Sequence, residues 1–265
     1  MGKPYTDFSL DIFSLKGKTA MISGANQGLG MAYATALAKA GADIFIPHFT
    51  DDVSEVKETV EGLGRKVSFL QGDLTDGAYR KRVVGACVDV FGKIDVLINN
   101  AGTAYMAPFL EFPDEKWAYV MDLQLNAVYY LTHEVAPVMV KNGGGKIINI
   151  ASALSFAADI NATAYTIAKH GIVGATRSFA TELGAYNIQC NAVAPGFFDS
   201  DISAMVRKAN PGMAEKVSGR IPGSGGNWGD IYDLMGPVLF LASAASDYVN
   251  GCVIPVDGGF KAALM

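Results

Sequence analysis

Cysteine and histidine are scarce in this 265-residue chain, three of each. Cys87, Cys190 and Cys252 are far apart, odd in number and form no C-x-x-C pair, so neither a disulfide framework nor a zinc site is expected. His48, His133 and His170 make no ligand spacing of the H-E-x-x-H kind, so a metal-free interior follows. Basic runs are also missing, and the formal net charge is -5, which excludes a phosphate-backbone ligand such as nucleic acid. No apolar stretch reaches the roughly 18 residues needed to cross a bilayer, and no signal-peptide core stands at the N-terminus. A cytoplasmic location without membrane contact is expected. Two short motifs lack support. Met1 to Thr6 fits the loose M-G-x-x-x-[ST] pattern with nothing else pointing to a lipid anchor, and Gly17-Lys18-Thr19 mimics a P-loop end but has Ile12 where a glycine is needed.

Half of the residues are hydrophobic and 30 are glycine, a composition suited to a buried sheet with tight strand-to-helix turns. After an N-terminal arm with scattered apolar residues (Phe8, Leu10, Ile12, Phe13, Leu15), short apolar runs alternate with amphipathic ones. Strands are predicted at 19–23, 42–47, 67–72, 94–100, 146–152, 188–196 and 252–259. Helices are predicted from 31 to 41, 52 to 63, 76 to 91 and 114 to 140, with another carrying Tyr165 and Lys169. Apolar strands separated by helices imply a parallel sheet buried on both faces, and right-handed crossovers make it doubly wound. The expectation is one Rossmann-like α/β domain over 1–265 with a seven-stranded parallel sheet. A loop-rich segment at 197–233, with Pro211, Pro222 and the run GSGGNWG, reads as a substrate lid.

Chemistry concentrates where strands end. Gly24-Ala25-Asn26-Gln27-Gly28-Leu29-Gly30 follows a strand and opens a helix, as a dinucleotide-binding turn must, so that backbone can approach a pyrophosphate. Its spacing is G-x-x-x-G-x-G rather than G-x-G-x-x-G. Asp73-Leu74 follows the third strand, Asn99-Asn100-Ala101-Gly102 the fourth and Pro195-Gly196 the sixth. Such recurrence at successive strand ends marks the ligand edge of an open α/β sheet. Tyr165 and Lys169 are four apart, one helical turn, and the ammonium is expected to pull the phenol's pKa down towards a value useful in proton transfer. Ser152 could share a substrate oxygen with Tyr165. A Y-x-x-x-K match alone arises by chance with roughly even odds in a chain of this content.

With these stations in order, the chain resembles the short-chain dehydrogenase/reductases over 15–259, Ser152 preceding Tyr165 by that family's usual thirteen residues. The resemblance implies Tyr165 as general acid/base, Lys169 depressing its pKa and bonding the nicotinamide ribose, Ser152 polarising the substrate carbonyl, and Asn126 holding a water for proton relay. It implies that Asp73 binds adenine and that Asn100, Ala101 and Gly102 line the cofactor cleft. Gly24, Asn26, Gln27, Gly28, Leu29, Gly30, His48, Leu74, Pro195, Gly196, Phe198 and Ser200 complete the expected cofactor set. The second strand ends in His48-Phe49-Thr50-Asp51-Asp52, with no Arg or Lys for a 2′-phosphate, so NAD is favoured, NADP being possible if His48 or Thr50 contacts the phosphate.

The C-terminal stretch DLMGPVLFLASAASDYVNG with VDGG is similar to 2-deoxy-gluconate 3-dehydrogenases and gluconate 5-dehydrogenases. Those relatives tend to carry an Arg pair after NNAG, where this chain has Thr103-Ala104-Tyr105-Met106, and an R-W-G where it has Asn227-Trp228-Gly229. A substrate carboxylate thereby loses its obvious partner. Tyr105, Leu154, Phe156, Phe197 and Trp228 are the candidate pocket walls beside Ser152 and Tyr165. The expected activity is hydride transfer between a secondary alcohol and a ketone on a sugar-derived or polyol substrate. Its competitors are a 3-oxoacyl thioester reductase and a non-catalytic dinucleotide-binding regulator. The resemblance also implies a homotetramer, with contacts at the helices near 114–140 and 162–186 and the last strand.

Overall fold

The computed structural model describes residues 4–199 and 211–263. Its centre is a parallel sheet built from β1 (Thr19–Ile22), β2 (Asp43–His48), β3 (Val67–Gln71), β4 (Val96–Asn99), β5 (Gly145–Ile150), β6 (Ile188–Pro195) and β9 (Val253–Val256). Their order across the sheet is β3-β2-β1-β4-β5-β6-β9, every pair parallel. The order reverses at β1, whose C-terminal end adjoins both the β2 and the β4 loops. An open α/β sheet binds its ligand in that crevice. Two residues each of β7 (Phe198–Asp199) and β8 (Gly229–Asp230) form a separate small pair.

Helices cover both faces, as strands this apolar require. On one face α1 (Gly28–Lys39), α2 (Ser54–Gly62) and α8 (Met235–Ala242) close over Ile22, Ile44, Ile46, Ile98 and Ile148 through Tyr33, Leu37, Val56, Val238 and Leu241. On the other, α3 (Gly77–Phe91), α5 (Ala127–Lys141) and the end of α6 (Thr163–Leu183) bury Met21, Phe45, Leu97 and Ile147. Between the central strands lies a polar brace. Asn99 Nδ2 donates to Asn149 Oδ1 (2.9 Å) and Thr132 Oγ1 (3.1 Å), and Asn149 Nδ2 to Thr176 Oγ1 (2.9 Å). It ties β4, β5, α5 and α6 together in the interior, where each unmade bond would be costly.

The predicted helix from 114 to 140 is broken. α4 (Asp114–Met121) passes through a π-helical turn, Asp122–Asn126, before α5 begins. Such single wide turns inside helices often lie at functional sites. The short helix α7 (Pro211–Ser218) lies between β7 and β8. α8 was not anticipated, because its sequence is apolar on every side and carries no helical period. Cys252 is exposed just ahead of β9, while Cys190 is buried in β6. In the N-terminal arm only Leu15 enters the core, and Phe8 and Leu10 face solvent. Lys18, from the false P-loop, pairs with Asp95 at 3.1 Å and simply anchors the base of β1.

Candidate active site

The turn after β1 is shaped by backbone crowding. Gly24 (φ +63°) and Gly28 (φ +55°) hold left-handed conformations. A Cβ on Gly30 would stand 2.5 Å from the Gly24 carbonyl oxygen and 2.7 Å from Ala25 Cα, so no side chain fits there. Asn100 braces this turn from β4. Its Nδ2 donates to the Ser23 and Gly24 carbonyls (2.8 and 3.1 Å), while Ser23 Oγ accepts from the Asn100 and Ala101 amides (3.0 and 2.9 Å). The Asn100 side chain is therefore spent on the scaffold, and what it offers a ligand is the shape of the turn.

Above this turn opens a cleft of about 440 Å³. Twelve of the expected cofactor residues line it: Gly24, Asn26, Gln27, Gly28, Leu29, Gly30, His48, Asp73, Leu74, Asn100, Ala101 and Gly102. Tyr119 and Leu123, from α4 and the π turn, line it too and were not anticipated. Asp73 Oδ1 accepts from Thr75 N (2.8 Å), which fixes the carboxylate at the mouth of β3. Asn26 Nδ2 donates to Thr50 Oγ1 (2.6 Å) and the Asp52 carbonyl (3.1 Å), closing the glycine turn onto the loop after β2. His48 Nδ1 lies 2.7 Å from the Thr50 carbonyl. The glycine cradle, the N-terminus of α1 and the adjoining cleft fit a dinucleotide. No Lys or Arg is among the described residues lining it.

The other expected cofactor residues lie outside that lining. Pro195 ends β6, and Gly196 abuts Asp257, where a Cβ would come within 2.7 Å. The Phe198 ring is buried in the core with Leu234 and Val238 and lies against Gly229, so this side chain serves packing. Ser200 falls outside the described residues.

Ser152, Tyr165 and Lys169 meet at the C-terminal end of β5. Ser152 caps the turn Ala153–Ser155, its Oγ accepting from Leu154 N (3.1 Å). Ser155 Oγ donates to the Lys169 carbonyl (2.8 Å), which locks that turn to α6. Lys169 is buried, and its Nζ donates to the Ile150 carbonyl (2.7 Å) while lying 5.5 Å from the Tyr165 ring centroid. The electrostatics differ from the expectation of a phenol pulled down by an ammonium. Burial raises the Tyr165 pKa, opposed by a hydrogen bond with Ser152, and burial lowers Lys169 to about 7. Desolvation disfavours both charged forms, and in this closed environment it outweighs the pair's mutual attraction.

Asn126 departs from its expected place. It is exposed, and its Nδ2 donates to Asp122 Oδ1 (2.7 Å) across the π turn. The inward amide of that turn is Gln124, only 3 % exposed, whose Nε2 donates to the Thr103 carbonyl beneath the NNAG loop. Its Oε1 is buried with no partner among the described residues. Of the expected pocket walls, Phe197 packs tilted against Trp228 (5.3 Å) and edge-on to Phe260 (5.0 Å) in a cluster that includes Ala153, next to Ser152. Leu154 and Phe156 lie on the Ser152 turn, half-buried. Tyr105 instead packs edge-on to Phe112 (5.6 Å).

Among the described residues there is no group of three or more His, Cys, Asp or Glu placed to hold a metal, and no helix long and apolar enough to cross a membrane.

A family model described as enoyl-(acyl carrier protein) reductase matches residues 24–261. An uncharacterised oxidoreductase of Escherichia coli is 45% identical over 253 residues, covering 96% of each chain. The 2-dehydro-3-deoxy-D-gluconate 5-dehydrogenase of Dickeya dadantii is 42% identical over 257 residues, covering 96% of this chain and 99% of that one. A gluconate 5-dehydrogenase of Burkholderia cenocepacia, solved in complex with NADP and tartrate, superposes with a TM-score of 0.91 at 32% identity, covering 97% of this chain and 100% of the other. Matched in this way over nearly its whole length, the chain with its glycine cradle, strand-end stations and Ser152–Tyr165–Lys169 cluster belongs to the short-chain dehydrogenase/reductase family, the NAD(P)-dependent oxidoreductases that interconvert secondary alcohols and ketones.

Proposed function

We propose that the chain interconverts a secondary alcohol and a ketone on a sugar-derived substrate, with Ser152, Tyr165 and Lys169 as the reacting side chains and NAD as the preferred dinucleotide. The observation that carries this reading is the rigid seating of Ser152 and Tyr165 side by side at the strand ends. When bound, the dinucleotide supplies the hydride that side chains cannot. In the direction of reduction, Tyr165 gives its phenolic proton to the substrate oxygen while Ser152 Oγ donates a hydrogen bond to the same atom. A phenol held up by burial stays protonated until the substrate oxygen takes its proton. In oxidation the proton returns, and Lys169 in its charged form favours the phenolate. Asn100 holds the cofactor turn without touching the reaction. The segment 197–233, of which residues 200–210 lie outside the described residues, acts as the lid on the substrate side, its Phe197 and Trp228 forming a wall beside Ala153.

The preference for NAD rests on the loop after β2. Thr50 is bonded to His48 through its carbonyl and to Asn26 through its hydroxyl, and Asp51 accepts from Gln71 Nε2 (2.5 Å), with no cation for a 2′-phosphate among the described residues of the cleft. The acidic names of the relatives support a sugar-derived substrate. Exposed Trp117, Tyr129, Tyr130 and Ile167 along α4, α5 and α6 support a homotetramer, and the unpaired cysteines support a cytoplasmic location. The test is a panel of polyols, sugar acids, steroids and keto esters, assayed with NAD and NADP by nicotinamide absorbance. Turnover of sugar-derived substrates with NAD is expected. Cofactor binding without turnover of any alcohol or ketone would sink the catalytic reading.

A further inference from the structure

Several relatives are named for a gluconate, an acid, yet the loop after NNAG is Thr103-Ala104-Tyr105-Met106, with no cation for a carboxylate. Two cations stand elsewhere around the same site. Lys261, two residues beyond the VDGG stretch, holds its Nζ 3.5 Å from the ring centroid of Phe156. Arg220, just beyond α7, lays its guanidinium 4.5 Å from the ring centroid of Phe260. Phe156 ends the turn that Ser152 caps, and Phe260 packs in one cluster with Ala153, Phe197 and Trp228. The two cations therefore flank the segment 152–156 that presents the catalytic serine.

Both lack what a structural cation usually has. Neither forms an ion pair among the described residues, and Arg220 Nε is buried with no hydrogen-bond partner there. Each rests on the face of an aromatic ring, which orients a cation while leaving its N–H donors free. In a chain of net charge -5, two cations beside one turn with no ion pair among the described residues make a local attractor for an anion. The turn is also rigid. Ser152 N donates to Ser155 Oγ (3.1 Å), and Ser155 is bonded to α6, so the distance from Ser152 to the ring under Lys261 is fixed.

We infer that Lys261, together with Arg220, binds the carboxylate of an acidic sugar substrate, taking the place of the cations missing after NNAG, and so sets specificity for acids over neutral polyols. The inference rests on the dehydrogenase reading of the same site. Lys261 makes the reachable, exposed contact, and Arg220 supplies the fixed charge behind it.

The experiment compares kcat/KM for D-gluconate and for its neutral counterpart D-glucitol in wild type, Lys261→Ala, Lys261→Arg and Arg220→Met, each checked by thermal unfolding. Wild type should favour the acid. Lys261→Ala should lower the acid-to-neutral ratio about tenfold or more through KM, the effect of one charge-assisted contact, and Lys261→Arg should restore it. Arg220→Met, if folded, should lower the ratio as well, and if it unfolds the two Lys261 variants decide alone. A wild type that prefers the neutral alcohol overturns the inference while leaving the dehydrogenase intact. So does a ratio untouched by Lys261→Ala, or one that falls instead on replacing Lys116, whose Nζ lies 5.7 Å from the Tyr105 ring centroid. Absence of turnover on every alcohol tested sinks the dehydrogenase reading and this inference with it.

Discussion

Replacing Gly30 by alanine tests whether the cofactor cradle is built by backbone crowding. The added Cβ would meet the Gly24 carbonyl oxygen at 2.5 Å, Asn100 Nδ2 at 2.6 Å and Ala25 Cα at 2.7 Å. None of these atoms can step aside cheaply. Two belong to the turn's backbone, and the third is the amide whose two hydrogen bonds hold that turn to β4. Relieving the overlap costs about 1–3 kcal/mol by analogy with overpacked cores. Disturbing the Asn100 brace adds about 1 kcal/mol. The expected loss is thus about 2–4 kcal/mol, which for a chain of this size lowers Tm by roughly 5–15 °C. Moving the turn also shifts the amides at the start of α1, so NAD affinity should fall with stability. Gly102→Ala gives the contrast, since its Cβ meets side-chain rather than backbone atoms, the Gln124 amide at 2.8–3.0 Å, and should cost less stability. Thermal unfolding and titration of NAD by quenching of protein fluorescence read both effects. A Gly30→Ala protein that melts with wild type and binds NAD equally well would refute the crowding argument.

Two further outcomes follow from the catalytic cluster. Tyr165→Phe should abolish turnover while NAD titration stays near wild type, because the phenol acts on the substrate oxygen; retained turnover would remove Tyr165 from the chemistry. Lys169 gives a pH signature. Burial holds it at about 7 in the folded chain, against an ordinary value of 10.5, so between these limits the unfolded chain carries the extra proton. Stability from this residue therefore rises with pH from about 7 upward, by at most roughly 1.4 kcal/mol per pH unit. Urea unfolding at pH 7 and pH 8.5 should show that increment as a difference between wild type and Lys169→Met, and equal pH slopes in the two proteins would place Lys169 as a cation in the apo fold.

Most of the fold was legible because its signals are local. Apolar runs such as the one around Ile147 and Ile148, bounded by helices of clear period, identify buried parallel strands whatever the tertiary detail. The glycines at 24 and 30 announced a close approach that the structure shows atom by atom, and Gly28 a left-handed turn. Legibility failed where one residue type serves two uses. α8 is apolar on every side, so periodicity had nothing to detect. Phe198 follows Pro195-Gly196 and was assigned to the cofactor, yet its ring fills core beside Leu234. The sign of the Tyr165 shift was missed for a related reason. Sequence reveals the charge partner four residues away, whereas desolvation is a property of everything packed around the pair.

The exchange of Asn126 for Gln124 is the sharpest case. Both are amides in one helical turn, two positions apart, and residues so spaced point roughly 200° apart around a helix. If one faces the site, the other faces solvent. Resemblance favoured asparagine, but the π turn over Asp122–Asn126 alters the phase of everything after it, and phase is what an i, i+4 argument takes for granted. The inward amide is Gln124, which lies under the NNAG loop with one oxygen unsatisfied among the described residues, while Asn126 is tied to the Asp122 side chain on the outside of the turn. Gln124→Ala should therefore affect catalysis, through the Thr103 carbonyl it holds, more than Asn126→Ala does. Steady-state kcat of the two variants measures this, and a larger loss at Asn126 would return the role to the exposed residue.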